Sequence, residues 1–216
     1  MNMELEQVLP REIEQRSFEI ITEELQGRTF PPEQEPIIKR VIHTSADFDY
    51  ADNLCFSEDA VTKAWEAIKG GASIVTDTQM TKAGINKSSL AKFGGEVFCF
   101  MSDEDVAKEA GKREVTRATV SMEKAAGIKG KLIFAIGNAP TALVSLYELI
   151  KEGKLSPQLI IGVPVGFVNV IPAKELIMQA GVPYIVARGR KGGSNVAAAI
   201  CNALLYQIDS ERGGSK

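Results

Sequence analysis

Five short apolar runs limit this chain to a small set of folds: Ser73-Ile74-Val75-Thr76, Val97-Phe98-Cys99-Phe100-Met101, Leu132-Ile133-Phe134-Ala135-Ile136, Leu159-Ile160-Ile161-Gly162-Val163 and Tyr184-Ile185-Val186-Ala187. Each has strand length, and most are rich in β-branched or aromatic residues. A strand with one wet face must alternate polar and apolar side chains. Near-continuous apolarity instead suits strands covered on both faces, as in a parallel sheet flanked by helices. Helical patterns separate the runs, roughly over 11–24, 33–43, 57–69, 103–111, 139–151, 174–180 and 194–207. The chain is therefore predicted to be α/β: a single domain with a mainly parallel β-sheet and helices on both faces. Its 216 residues suit one domain over 1–216, with no linker or internal repeat and with flexible ends at 1–10 and 209–216.

Charge and cysteine usage remove several classes of function. A net charge of -3 and a pI near 5.4 give no electrostatic reason to expect nucleic acid or an anionic membrane as a partner. No segment has the apolar length of a membrane span, and residues 1–18 read as neither a signal nor a transit peptide. The three cysteines, Cys55, Cys99 and Cys201, are far apart and odd in number, which argues against a disulfide framework and any CxxC motif. A cytoplasmic protein fits best. Cys99 in its apolar run reads as core, and Trp65, at helical spacing from Val61 and Ile68, reads as packing.

One histidine, His43, stands alone in the whole chain. It rules out a polyhistidine zinc site, and it is the natural candidate for proton transfer near neutral pH. The stretch Asp47-Phe48-Asp49-Tyr50-Ala51-Asp52 with Glu58 fails as a calcium loop, since Ala51 offers no side-chain oxygen and Asp52 replaces the turn glycine. No metal is expected. If the helix preceding it continued, Arg40, His43 and Asp47 would share one face.

Open α/β sheets bind ligands beyond the carboxyl ends of their strands. There the chain places Asp77-Thr78, Gly137-Asn138-Ala139-Pro140-Thr141, Pro164-Val165-Gly166-Phe167 and Arg188-Gly189-Arg190-Lys191-Gly192-Gly193-Ser194. The last segment joins cations to glycines ahead of a helix that Ser194 could cap, a composition suited to anions. Asp77 and Asn138 read equally well as helix caps or ligand contacts. Arg117 reads as a carboxylate partner or a surface ion pair.

Several motifs occur together and in order: Glu14-Gln15-Arg16-Ser17-Phe18, Lys39-Arg40-Val41-Ile42-His43-Thr44-Ser45, Ile136-Gly137-Asn138-Ala139-Pro140-Thr141-Ala142-Leu143, Pro164-Val165-Gly166-Phe167-Val168 and Gly189-Arg190-Lys191-Gly192-Gly193-Ser194. Through them the chain resembles the precorrin-8X methylmutase family from about Ile13 to Leu205. The resemblance implies an isomerase of cobalamin biosynthesis. It would move a methyl group from carbon 11 to carbon 12 of a corrinoid by a 1,5-sigmatropic shift, without a cofactor, giving hydrogenobyrinic acid or its cobalt counterpart. It implies that His43 is the general acid at the ring C nitrogen, that Arg40 and Ser17 contact substrate, and that the protein is a homodimer with sites near the interface.

The macrocycle carries many carboxylates. Arg188, Arg190 and Lys191, with Gly192, Gly193 and Arg117, are candidates to hold them, while Val165, Gly166 and Phe167 could face the flat ring. Thr44, Asp77, Thr78 and Asn138 complete the candidate contacts. After Val168 the family pattern continues toward Glu-Ser-Lys, of which only Lys174 is present here. Two other readings compete: a non-catalytic tetrapyrrole carrier, and a nucleotide or phosphate enzyme using Arg188 to Ser194, although nucleotide fingerprints are missing.

Overall fold

The computed structural model describes residues 6–209. Six strands form one sheet: β1 (Leu54–Phe56), β2 (Ser73–Thr76), β3 (Val97–Phe98), β4 (Leu132–Ile136), β5 (Leu159–Gly162) and β6 (Tyr184–Ala187). They lie in the order β1-β6-β5-β4-β2-β3. All neighbours run parallel except β1, which pairs antiparallel with β6.

After a 3-10 turn at Pro10–Glu12 the helices are α1 (Ile13–Glu24), α2 (Glu35–Ser45), α3 (Tyr50–Asn53), α4 (Ala60–Lys69), α5 (Gln79–Gly84) and α6 (Lys87–Ala91). They continue as α7 (Glu104–Arg113), α8 (Arg117–Ala125), α9 (Pro140–Lys151), α10 (Val170–Met178) and α11 (Ser194–Ile208). All five expected strands form, although the second is cut to Val97–Phe98.

Alternation along each strand divides the core in two. Ile133 and Ala135 of β4 face a layer built by α1, α2, α4 and α11. Leu132, Phe134 and Ile136 face α8, α9 and α10. Every residue of β4 and β5 is buried, the physical reason their sequences show no polar alternation. Complete burial of the Phe134 side chain contributes about 2–3 kcal/mol.

Three boundaries differ from expectation for identifiable reasons. α2 ends at Ser45 because Ala46 is left-handed, so Asp47 leaves the helix and does not share the face of Arg40 and His43. α10 begins at Val170, earlier than the predicted 174, because Pro172 falls in its first turn, where a missing N–H costs nothing. Asp209, expected in the flexible tail, is buried, accepting from Ser89 Oγ at 2.6 Å and Lys92 Nζ at 3.0 Å. Residues 1–5 and 210–216 of the expected flexible ends lie outside the described residues.

The parallel strands wind outward in both directions, β2 to β3 on one side and β4 through β5 to β6 on the other. The order reverses between β2 and β4, and that gap is the switch point where doubly wound folds offer a crevice to ligands.

Candidate active site

The switch point is closed by the chain itself. Asp77, directly after β2, is wholly buried. Its carboxylate accepts the N–H groups of Gly137 at 2.8 Å, Asn138 at 2.8 Å and Ala139 at 2.6 Å, the donors that precede α9. Burial pushes the Asp77 carboxyl up from its ordinary value, and the three N–H donors pull against that shift. Thr78 Oγ1 accepts from the Thr81 N–H at 3.0 Å, capping α5, and pairs with Ser194 Oγ at 2.8 Å. Gly137 approaches α11 so closely that an added Cβ would stand 2.7 Å from Ser194 Cα.

These contacts revise the expected caps. Ser194 is not the cap of α11, since Gly193 holds that position. Asn138 is not the cap of α9, since Ala139 precedes it and Asn138 is exposed. A phosphate arriving at the α9 N-terminus would meet Asp77 already on those donors.

The polar chemistry lies outside that crevice. Gln207 Nε2 donates to the Glu33 carbonyl at 3.1 Å, so the start of α2 lies beside the end of α11. α2 therefore runs back toward the carboxyl edge of the sheet, with His43 near its exposed end. The imidazole stacks on Phe18 of α1, ring centres 5.4 Å apart and planes inclined by 23°. Arg40 lies between two rings, its guanidinium carbon 4.8 Å from the Phe18 centre and 5.3 Å from that of Tyr206, and it pairs with Glu14. Below it, a cavity of about 350 Å³ is lined by Phe18, Pro36, Lys39, Arg40, Tyr206 and Gln207. Ser17 bonds back to the Ile13 carbonyl at 2.9 Å, and Thr44 is exposed beside His43.

Just past α2, Lys191 Nζ meets Asp47 and Asp49, both at 2.6 Å. This ties the end of the histidine helix to the loop after β6. The ion pair raises the Lys191 pKa and lowers that of Asp47. Arg188 pairs with Glu175 at 3.3 Å. Arg190 instead lies over the ring of Phe167 at 5.8 Å, and Phe167 is 85% exposed. Of the three cations expected to hold anions, two are thus taken up by the chain's own carboxylates. Gly192 and Gly193 pack the loop against Val163, whose carbonyl oxygen would lie 2.1 Å from a Cβ at Gly192. The structure does not bring Arg117 to His43: it heads α8, in the opposite helix layer.

Residue reading missed Phe18 and Tyr206, and it noted Lys174 only as what remains of the family pattern, without a role. Phe18 stood inside a quoted motif, but its stacking depends on α1 crossing α2. Lys174 carried a visible signal, a lysine four residues after Val170 and three before Ile177 on the apolar face of α10. It is 0% exposed, and its Nζ donates to the carbonyls of Gly189 at 2.9 Å and Lys191 at 2.8 Å.

Burial pushes the Lys174 pKa down to about 8 from 10.5. Between those values the unfolded chain binds the proton and the folded chain does not, so this lysine's contribution to stability rises with pH across that window. The full change is worth about 3 kcal/mol. Denaturant unfolding of wild type and Lys174→Met from pH 7 to pH 10 is expected to show their stability difference widening in favour of wild type. A difference that stays flat with pH contradicts the depressed pKa.

Fold and rim together define a doubly wound α/β protein with a closed switch point and an imidazole on an aromatic, cation-studded outer rim. The family model for CbiC, precorrin-8X methylmutase, matches residues 12–207, and the chain belongs to that family. It is 48% identical over 203 residues to the cobalt-precorrin-8 methylmutase of Priestia megaterium, covering 94% of this chain and 90% of the relative. It is 38% identical over 198 residues to the precorrin-8X methylmutase of Pseudomonas aeruginosa, covering 90% and 94%. Among solved structures, a precorrin-8X methylmutase from Thermus thermophilus superposes with a TM-score of 0.84 at 38% identity, covering 94% of this chain and all of that one. No described helix is long and apolar enough to cross a membrane.

Proposed function

We propose that this chain is a methylmutase of cobalamin biosynthesis, moving the methyl group of a precorrin-8 ring from carbon 11 to carbon 12. The observation that carries the reading is the setting of His43: a lone, exposed imidazole stacked on Phe18, one helical turn from Arg40, in a member of this family. The migration is intramolecular, so no group is gained or lost. The protein must hold the ring and draw electron density toward the ring C nitrogen. His43 does so by donating a proton or a hydrogen bond there.

Arg40 and Thr44 neighbour that imidazole in sequence, Ser17 precedes the Phe18 that stacks on it, and the three serve as the nearer contacts. Phe167 and Val165 offer apolar surface to the ring, and Arg190 reaches its carboxylates. Asp77 and Thr78 support the rim from within. The protein acts in the cytoplasm as a homodimer. Relatives named cobalt-precorrin-8 methylmutase and precorrin-8X methylmutase are both similar to this chain, which supports cobalt entering, where present, as part of the substrate.

Incubation of purified protein with metal-free and with cobalt-bearing precorrin-8 is expected to produce the absorption change that accompanies the shifted methyl group. Binding without any isomerisation would make the chain a tetrapyrrole carrier instead.

A further inference from the structure

Lys174 is the only fully buried cation among the described residues, and no step of the proposed reaction uses it. Its two acceptors bracket a single residue. The Gly189 carbonyl lies before Arg190 and the Lys191 carbonyl after it, at 2.9 and 2.8 Å from Nζ. The Arg190 carbonyl is itself held by the Gly166 N–H at 3.2 Å, and the Gly193 N–H reaches the Val163 carbonyl at 2.9 Å. Loops after β5 and β6 are thereby laced into one unit, pinned from beneath by an ammonium that no carboxylate faces among the described residues. With its main chain fixed on both sides, the Arg190 side chain extends over the exposed Phe167 ring. Arg188 and Lys191 are taken up by Glu175, Asp47 and Asp49, which leaves Arg190 as the cation of this loop without an acidic partner among the described residues.

We propose that Lys174 is a positioning residue for substrate: by clamping the main chain on both sides of Arg190, it presents the guanidinium, laid over the Phe167 ring, to the carboxylate-bearing edge of the tetrapyrrole. A hydrophobic side chain of similar length would fill the space but leave two buried carbonyls without donors, and the loop would relax toward water to satisfy them. This inference rests on the methylmutase reading.

The test is a double-mutant cycle on the wild-type background, read as product affinity by absorbance titration and as steady-state rates. Lys174→Met and Arg190→Ala are each expected to weaken product binding about tenfold or more, the scale of one charge-assisted contact. KM should rise while kcat stays within about threefold, since uniform binding energy is lost and chemistry is not. The double variant should bind no more weakly than Arg190→Ala alone, because Lys174 acts through Arg190. A purely structural lysine would instead give additive losses and a fall in kcat. Should Lys174→Met fail to fold, Lys174→Gln, which keeps an amide donor on a shorter, uncharged side chain, takes its place in the cycle with a smaller loss of affinity expected, one that again vanishes on the Arg190→Ala background. Wild-type affinity in Arg190→Ala, or additivity in the cycle, overturns the proposal. If wild type itself neither binds nor isomerises a precorrin, the methylmutase reading fails first.

Discussion

His43→Ala is expected to lower turnover of precorrin-8 by about 10²-fold or more, the usual contribution of a positioned general acid, while product still binds. The side chain is exposed at the end of α2, so its removal opens no core cavity and should leave the melting temperature within a few degrees. What is lost is the donor and one face of the Phe18 stack. His43→Asn separates the two ways the imidazole can act. Its amide can offer a hydrogen bond but transfers no proton at neutral pH, so substantial retained activity would mean that hydrogen bonding suffices. Wild-type turnover in His43→Ala would remove the histidine from the mechanism altogether.

The second large effect concerns stability. Asp77→Ala would orphan three N–H donors before the start of α9, that of Gly137 buried and those of Asn138 and Ala139 part-buried. Each buried unsatisfied donor costs about 1–3 kcal/mol, so a loss of about 4 kcal/mol is expected. For a domain of this size that lowers the melting temperature by about 10 °C. Asp77→Asn, which keeps an acceptor in place, should fall between. A calorimetric melt of Asp77→Ala indistinguishable from wild type would mean that the three donors find other acceptors, and that the switch point is not held shut by this side chain.

The fold was legible where burial on both faces wrote an uninterrupted apolar signal. β4, with five buried residues in a row, is the clearest case. β1 left no such trace: it is three residues long, pairs antiparallel at an edge, and only Leu54 of its members is buried. α5 and α6 are too short for a helical period to develop, and their starts rest on Thr78 and Asn86 caps that look like ordinary loop residues. α8 went unread because its polar Thr, Ser and Lys positions blur the buried stripe of Ala118, Met122 and Ala125.

The site was legible in part. His43 stood out by being alone, and the basic loop by its composition. Which of its cations are already neutralised was not legible, because Asp47, Asp49 and Glu175 reach them only once the chain has folded. For the same reason Asp77 could be read as a cap or a ligand contact, whereas its partners, from sixty residues downstream, make it a tie between the end of β2 and the loop before α9.

The sealed switch point has a consequence for anyone wishing to redesign this protein. Because the floor is locked by main-chain donors and a carboxylate, the rim above it can be exchanged like the setting of a stone. Replacing the segments after β5 and β6 together, with Lys174 retained beneath them, offers a route to receptors for other large flat pigments on an unaltered framework.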